Sequence, residues 1–171
     1  MMWIVCDNIR SAWNIGAIMR SCEGVGAGVV LLGYSPLPVG KNLKLIEKTA
    51  IGADKTVNWI HFDLAINLLE NYPKNTQNTH IGIEIDEFST PIYSFLKDQK
   101  NVEKLNSSNN IFLWLGNEIH GLSRDLTQQF DFTAHLPMRG KKESLNVSNC
   151  ATTVLYLFDF VLTENSRLNS N

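Results

Sequence analysis

Leu136-Pro137-Met138-Arg139-Gly140-Lys141-Lys142-Glu143-Ser144-Leu145-Asn146-Val147-Ser148 joins a short apolar run to a basic loop and then to a long stretch of helical periodicity. Phe132 to Leu136 reads as a strand. Val147, Ala151, Val154, Leu155, Phe158, Val161 and Leu162 recur at helical spacing without a gap. In open α/β sheets, ligands gather outside the carboxyl ends of the strands, where a strand hands over to a helix. Ser144, Asn146 and Ser148 crowd the first turn of that helix with more polar groups than one cap requires. The free N–H groups and positive dipole end there favour a carboxylate or a phosphate. Arg139, Lys141 and Lys142 either hold a polyanion or form an ordinary solvated loop.

Outward from this junction, Trp3 to Cys6, Val29 to Leu32, Thr56 to Ile60, His80 to Ile85 and Ile111 to Leu115 also read as strands. Ile15, Ile18, Met19 and Cys22 mark one helical face, and Leu64, Ile66, Leu68 and Leu69 mark a second helix that stops before Pro73. Asn71 to Thr79 and Asn106 to Asn110 are loops by composition. Strands alternating with helices predict an α/β fold, with a mostly parallel sheet and helices on both faces. Tyr156, Leu157 and Phe160 make the second half of the last helix apolar nearly all round. A helix of that kind needs cover on every side, so the expectation is a homodimer.

The 171 residues favour one domain, taken as 1–171 without a substantial extension at either end, and the composition is that of a globular chain. No apolar run is long enough for a membrane span, because Asp159 interrupts the longest, and no signal peptide is read at the N-terminus. Cys6, Cys22 and Cys150 lie far apart, which points to a reducing compartment, the cytoplasm, and to no metal knuckle. The net charge of −2 excludes a protein that coats nucleic acid indiscriminately. Residues 1–60 nevertheless carry six Lys/Arg against four Asp/Glu, so a local basic patch is allowed.

Two more junctions carry polar residues and glycines. The first is Asn8-Ile9-Arg10-Ser11-Ala12-Trp13-Asn14-Ile15-Gly16-Ala17-Ile18-Met19-Arg20, where Asn14 is expected to cap a helix. Gly16 and Arg20 are four apart, and the glycine is read as clearing space for an anion beside the guanidinium; the plain alternative is a surface arginine. The second is Leu115-Gly116-Asn117-Glu118-Ile119-His120-Gly121-Leu122-Ser123, a strand entering a turn in which Gly116 and Gly121 bracket Glu118, with Ser123 as a cap. His120 receives no role. Gly24, Gly26 and Gly28 follow a helix and precede a strand, the reverse of a dinucleotide fingerprint, and read as a turn. No metal-ligand spacing and no Gly-x-Ser-x-Gly elbow is present.

Together the three junctions resemble the three motifs of the SpoU (TrmH-like) branch of the SPOUT RNA methyltransferases. Asn14-x-Gly16-x-x-x-Arg20 is similar to the first. Leu115-Gly116-Asn117-Glu118-x-x-Gly121-Leu122 is similar to the second, and Leu136-Pro137-Met138-x-Gly140-x-x-x-Ser144-Leu145-Asn146-Val147-Ser148 to the third and most specific. Lys48 to Ala53 falls where family members carry a small-residue Gly-Ala stretch. The resemblance runs along about the whole chain. It implies a C-terminal deep trefoil knot, which general connection rules would disfavour, a homodimer whose interface completes the site, and S-adenosylmethionine as cofactor. The implied reaction is methyl transfer to a ribose 2′-hydroxyl of RNA, with tRNA expected, rRNA the alternative, and a catalytically silent RNA-binding domain the rival from another class.

By the same resemblance, the cofactor is expected on Ile83, Glu84, Ile85, Gly116, Asn117, Glu118, Gly121, Leu136, Met138, Ser144 and Leu145. Arg20, Asn14, Glu118, Ser144 and Asn146 match positions regarded in the family as catalytic or site-forming. A guanidinium stays charged in water, so the role that suits Arg20 is a fixed cation beside the developing alkoxide, with Glu118 paired to a positive partner. The resemblance leads to the expectation that the extensions that carry RNA in larger members are almost lacking here, so that Arg10, Arg20, Lys41, Lys44, Arg139, Lys141 and Lys142 meet the RNA. Asn149 replaces a small apolar residue, an expected disturbance of local helix packing. An unrelated flavodoxin-like phosphate site at Ser144 to Ser148 is the third reading.

Overall fold

The computed structural model of the chain describes residues 1–168. The strands are β1 (Met2–Asp7), β2 (Gly28–Leu32), β3 (Trp59–Phe62), β4 (Asn78–Ile83), β5 (Thr90–Pro91), β6 (Asn110–Leu115) and β7 (Phe132–His135). The helices are α1 (Ala12–Gly24), α2 (Gly40–Ala50), α3 (Ala65–Asn71), α4 (Ile92–Phe95), α5 (Gln99–Ser107), α6 (Arg124–Thr127) and α7 (Val147–Leu168). All the strands lie parallel in one sheet, ordered β3-β2-β1-β6-β4-β7-β5. The expected α/β architecture with a mostly parallel sheet is therefore present.

Alternation along the central strands divides the core. Ile4 and Cys6 of β1, Val29 and Leu31 of β2, and Ile111, Leu113 and Leu115 of β6 face the layer holding α1, α2 and α7. Val5, Val30, Leu32, Phe112 and Trp114 face Leu68 and Leu69 of α3 and Leu126 of α6. Every residue of β2 is buried, as a parallel strand covered on both faces requires.

Several local expectations change. Ser11, not Asn14, caps α1; its side chain accepts from the Asn14 amide at 3.3 Å, and Asn14 lies inside the helix. Gly16 clears no space beside Arg20. It is buried where α1 meets α2, and a Cβ there would lie 2.3 Å from the Ile46 carbonyl oxygen and 2.1 Å from Thr49 Oγ1. The glycine permits close helix packing, while Arg20 points to solvent. β3 starts at Trp59, not Thr56, because Gly52 (φ +93°) leads into a 3-10 turn at Ala53–Lys55. β4 begins two residues earlier than periodicity suggests, its Thr79 hydroxyl bonded to Ser108 at 2.7 Å. Helices α2, α4 and α5 and strand β5 were not expected, and the stretches read as loops are shorter, since α3 takes Asn71, β4 takes Asn78 and Thr79, α5 takes Asn106 and Ser107, and β6 takes Asn110. Asn149 is exposed and its carbonyl accepts from Thr153 Oγ1 at 2.9 Å, so it disturbs nothing. Gly24 to Gly28 do form a turn, with Gly26 at φ +68°.

The second core layer contains one titratable group with a definite consequence. His80 is fully buried and stacked on Phe112 at 4.7 Å. Its Nε2 lies 2.7 Å from the Tyr72 carbonyl oxygen, and its Nδ1 accepts from Trp114 Nε1–H at 3.1 Å. Only the neutral ring with its proton on Nε2 satisfies both bonds. Burial pulls its pKa below the ordinary 6.5, as does Lys74, against the Tyr72 bond and Asp131. The unfolded chain therefore takes up the proton first. The stability held by neutral His80 is complete above about pH 6.5 and declines as the pH falls below it. Melting temperature is expected to drop between pH 7 and pH 5 in the wild type, and the drop should shrink in His80→Gln. Equal pH slopes in the two proteins would remove this account.

Among the described residues, no helix is long and apolar enough to cross a membrane, and no cluster of His, Cys, Asp or Glu could hold a metal ion.

Candidate active site

The carboxyl ends of β4, β6 and β7 and the start of α7 enclose a cavity of about 570 Å3, within the range of small-molecule and cofactor sites. The end of β4 and the residues after it contribute Ile83, Glu84 and Ile85, the end of β6 and its following turn contribute Leu115 to Gly121, the end of β7 and its following segment contribute His135, Leu136, Met138 and Ser144 to Asn146, and α7 contributes Val147 and Cys150. All the residues expected at the cofactor therefore meet around one cavity, although they come from segments far apart in the chain. Leu115, Ile119, His120, His135, Val147 and Cys150 line it as well and were not anticipated. The strand-end rule would have found Leu115 and His135.

The turn after β6 is tightly built. Asn117 is buried; its amide nitrogen donates to the Asn8 carbonyl at 2.8 Å and to Tyr34 Oη at 2.6 Å. Its Oδ1 accepts from the amides of Ile119 (2.9 Å) and His120 (3.3 Å). The side chain thus holds the turn. Gly121 has φ +63°, and Glu84 folds onto it, accepting from the Leu122 amide at 2.8 Å and the Ile85 amide at 2.9 Å. Asn117→Ala strands these partners. It should cost about 1–3 kcal/mol, as several part-buried hydrogen bonds worth about 0.5–1.5 kcal/mol each are lost, seen as a lower midpoint in a denaturant melt. A wild-type midpoint would show that the turn holds without it.

Among the described residues Glu118 pairs with no cation. Its carboxylate accepts from the amides of Arg10 (2.9 Å) and Ser11 (3.3 Å) and from Asn14 Nδ2 (3.1 Å). Partial burial would raise its pKa, but those bonds and its own amide outweigh that effect and hold it below 4.5. Asn14 Oδ1 in turn accepts from Asn146 Nδ2 at 3.3 Å. Asn146 caps α7, its Oδ1 accepting from the Ser148 amide at 2.9 Å and from Ser148 Oγ at 2.7 Å. A polar chain, Glu118–Asn14–Asn146, therefore joins all three junctions at the cavity's edge.

Ser144 is exposed and lines the cavity. Arg20 does not. It is exposed on α1, and the structure gives it no hydrogen bond or ion pair among the described residues. Arg10, Lys41, Lys44, Arg139, Lys141 and Lys142 are exposed too, the last three on the loop at the cavity rim. The Cys150 thiol is pushed up to about 11, first by burial and then by the Glu84 charge, so it stays protonated at neutral pH.

The sequence model of the SpoU rRNA Methylase family matches residues 1–156. The chain belongs to the SpoU family. It is 28% identical over 154 residues to a tRNA (guanosine(18)-2′-O)-methyltransferase of Aquifex aeolicus, covering 90% of this chain and 66% of that protein. It is 30% identical over 154 residues to the 23S rRNA (guanosine-2′-O-)-methyltransferase RlmB of Xylella fastidiosa, covering 90% and 56%. The chain thus spans between about half and two-thirds of these SpoU relatives. Among solved structures, the SpoU methyltransferase AviRb of Streptomyces viridochromogenes matches with a TM-score of 0.78 at 21% identity, over 96% of this chain and 61% of that one. The TrmH/SpoU tRNA modifying enzyme of Aquifex aeolicus matches with a TM-score of 0.76 at 23% identity, over 96% and 77%.

Proposed function

We propose that this chain is an S-adenosylmethionine-dependent RNA ribose 2′-O-methyltransferase, with tRNA as substrate and rRNA as the alternative. The observation that carries this reading is the cavity walled by the second and third junctions, whose lining residues Glu118 and Asn146 are both hydrogen-bonded to Asn14 of the first. The names of the SpoU relatives, which act on tRNA and 23S rRNA, support it.

The residues present fit such a cofactor. Leu115, Leu136, Met138, Leu145 and Val147 give an apolar wall, and residues 136–139 belong to neither helix nor strand, which leaves main-chain groups free for an adenine edge. When bound, the cofactor supplies a methyl group already activated on a sulfonium. The protein's share is alignment and charge. Asn14 and Asn146 orient the ribose, the ionised Glu118 locks the first junction to the second, and Ser144 offers a hydroxyl at the rim.

Arg20 is absent from the cavity of its own chain, so its contact with the ribose belongs to a homodimer whose interface completes the site. Tyr156 and Phe160, 51% and 64% exposed on α7, are the surface for the second copy. The trefoil knot is part of the same proposal, supported by the way Leu136 to Val147 and the Gly116–Gly121 turn wall one cavity. So are a single methyltransferase domain and a cytoplasmic location, the latter supported by the free cysteines Cys6, Cys22 and Cys150. The deciding assay offers labelled S-adenosylmethionine with bulk tRNA and, separately, rRNA, then maps the 2′-O-methylated nucleotide. Cofactor binding without transfer to either would favour the catalytically silent RNA-binding domain.

A further inference from the structure

Trp13 stands in the first turn of α1 and is 50% exposed, a large apolar surface left to water. Its position is not loose. The Trp13 carbonyl accepts from Thr49 Oγ1 at 2.9 Å, tying this turn to α2. The next residue, Asn14, reaches Glu118 and Asn146 at the cavity's edge. Lys48 Nζ lies 5.4 Å from the centre of the indole and covers one face. Arg20, two helical turns along the same side of α1, is exposed, as are Lys44 and Lys41, about one and two turns before Lys48 on α2.

We propose that Trp13, backed by Lys48, is the platform on which the base of an unpaired RNA nucleotide stacks. This assignment rests on the RNA-methyltransferase reading and adds the kind of nucleotide taken. A flat π face beside a cation, bordered by further cations, matches a ligand that is itself a flat base on an anionic backbone. A base inside a duplex has both faces covered, so only one in a loop or at an end can offer a face to the indole. An apolar protein partner would meet charged lysines where it needs apolar cover, which disfavours it here. The step from Trp13 to Asn14 sets the stacked base beside the groups assigned to the ribose.

The test compares Trp13→Leu, which stays apolar but has no π face, with Trp13→Phe, which keeps one. In steady-state methyl transfer to a tRNA pool, KM for RNA should rise about tenfold in the leucine variant, the scale of one lost stacking contact. Its kcat and its affinity for S-adenosylmethionine by calorimetry should stay within about twofold of wild type, and Trp13→Phe should remain near wild type. An unchanged RNA KM in Trp13→Leu overturns the assignment. So does a KM change that follows a change of mass in light scattering, because the indole would then lie between two copies. If the wild type transfers no methyl group, the enzymatic reading fails and fluorescence judges the platform separately. An unstructured oligoribonucleotide should quench indole emission in the wild type and not in Trp13→Phe, and equal quenching in both overturns it.

Discussion

Gly116→Ala is expected to abolish S-adenosylmethionine binding and, with it, turnover. A Cβ on residue 116 would lie 2.1 Å from the Gly121 carbonyl carbon and 2.3 Å from the Leu122 nitrogen. Both are main-chain atoms, and neither can step aside cheaply. Gly121 is bonded through its amide to the Asn117 carbonyl at 2.8 Å, and Leu122 to Glu84 at 2.8 Å. The turn must open, which carries the overpacking penalty of about 1–3 kcal/mol and misplaces one wall of the cavity. Gly140→Ala is the control, since a Cβ there meets nothing within 4 Å and the backbone is not in the left-handed region. Calorimetry with S-adenosylmethionine and a thermal melt on both variants check this. Gly116→Ala binding as tightly as wild type would show that the turn does not hold the cofactor.

Arg20→Ala is expected to lower kcat by about 100-fold or more, the scale of losing one preorganised group that stabilises developing charge, while cofactor affinity survives. The side chain is exposed and makes no bond among the described residues, so its removal should cost little stability. A loss of turnover with an unchanged melt and unchanged calorimetry therefore reports chemistry. The same geometry gives the variant a second use. Because Arg20 lies outside its own cavity, the proposed homodimer predicts that mixing Arg20→Ala with a separate cavity variant such as Gly116→Ala restores part of the activity. Near-wild-type turnover in Arg20→Ala would end its assignment to the reaction.

The parts of this fold that were legible in the sequence are those written in short-range pattern. The alternation of Ile4, Val5 and Cys6, or of Phe112, Leu113 and Trp114, tells of a strand buried on both faces, and the sheet does cover both. Helix α2 was not legible because its exposed lysines hide a buried side made mainly of Ile46 and Ala50. What orders it is contact with α1 at Gly16, and spacing alone assigned that glycine to an anion. The site is similar. Motif resemblance gathered its residues, but no local signal shows that Glu118 bonds residues over 100 positions away, the amides of Arg10 and Ser11 among them. The partner therefore came out as a backbone segment and an amide in place of a cation. Arg20 was grouped with that site by motif, and only the tertiary structure separates it from the cavity of its own chain.

β7 sits between β4 and β5, and the segment that follows it closes the cavity against turns made much earlier in the chain. During translation, the ends of β4 and β6 emerge first and wait with one wall missing. On the proposed reading, donor affinity is expected in a nascent chain only after Leu136 to Cys150 has cleared the ribosome and docked. A polypeptide stalled before that point carries two of the three motifs and still has no pocket, so ligand retention doubles as a report that synthesis passed the final crossover.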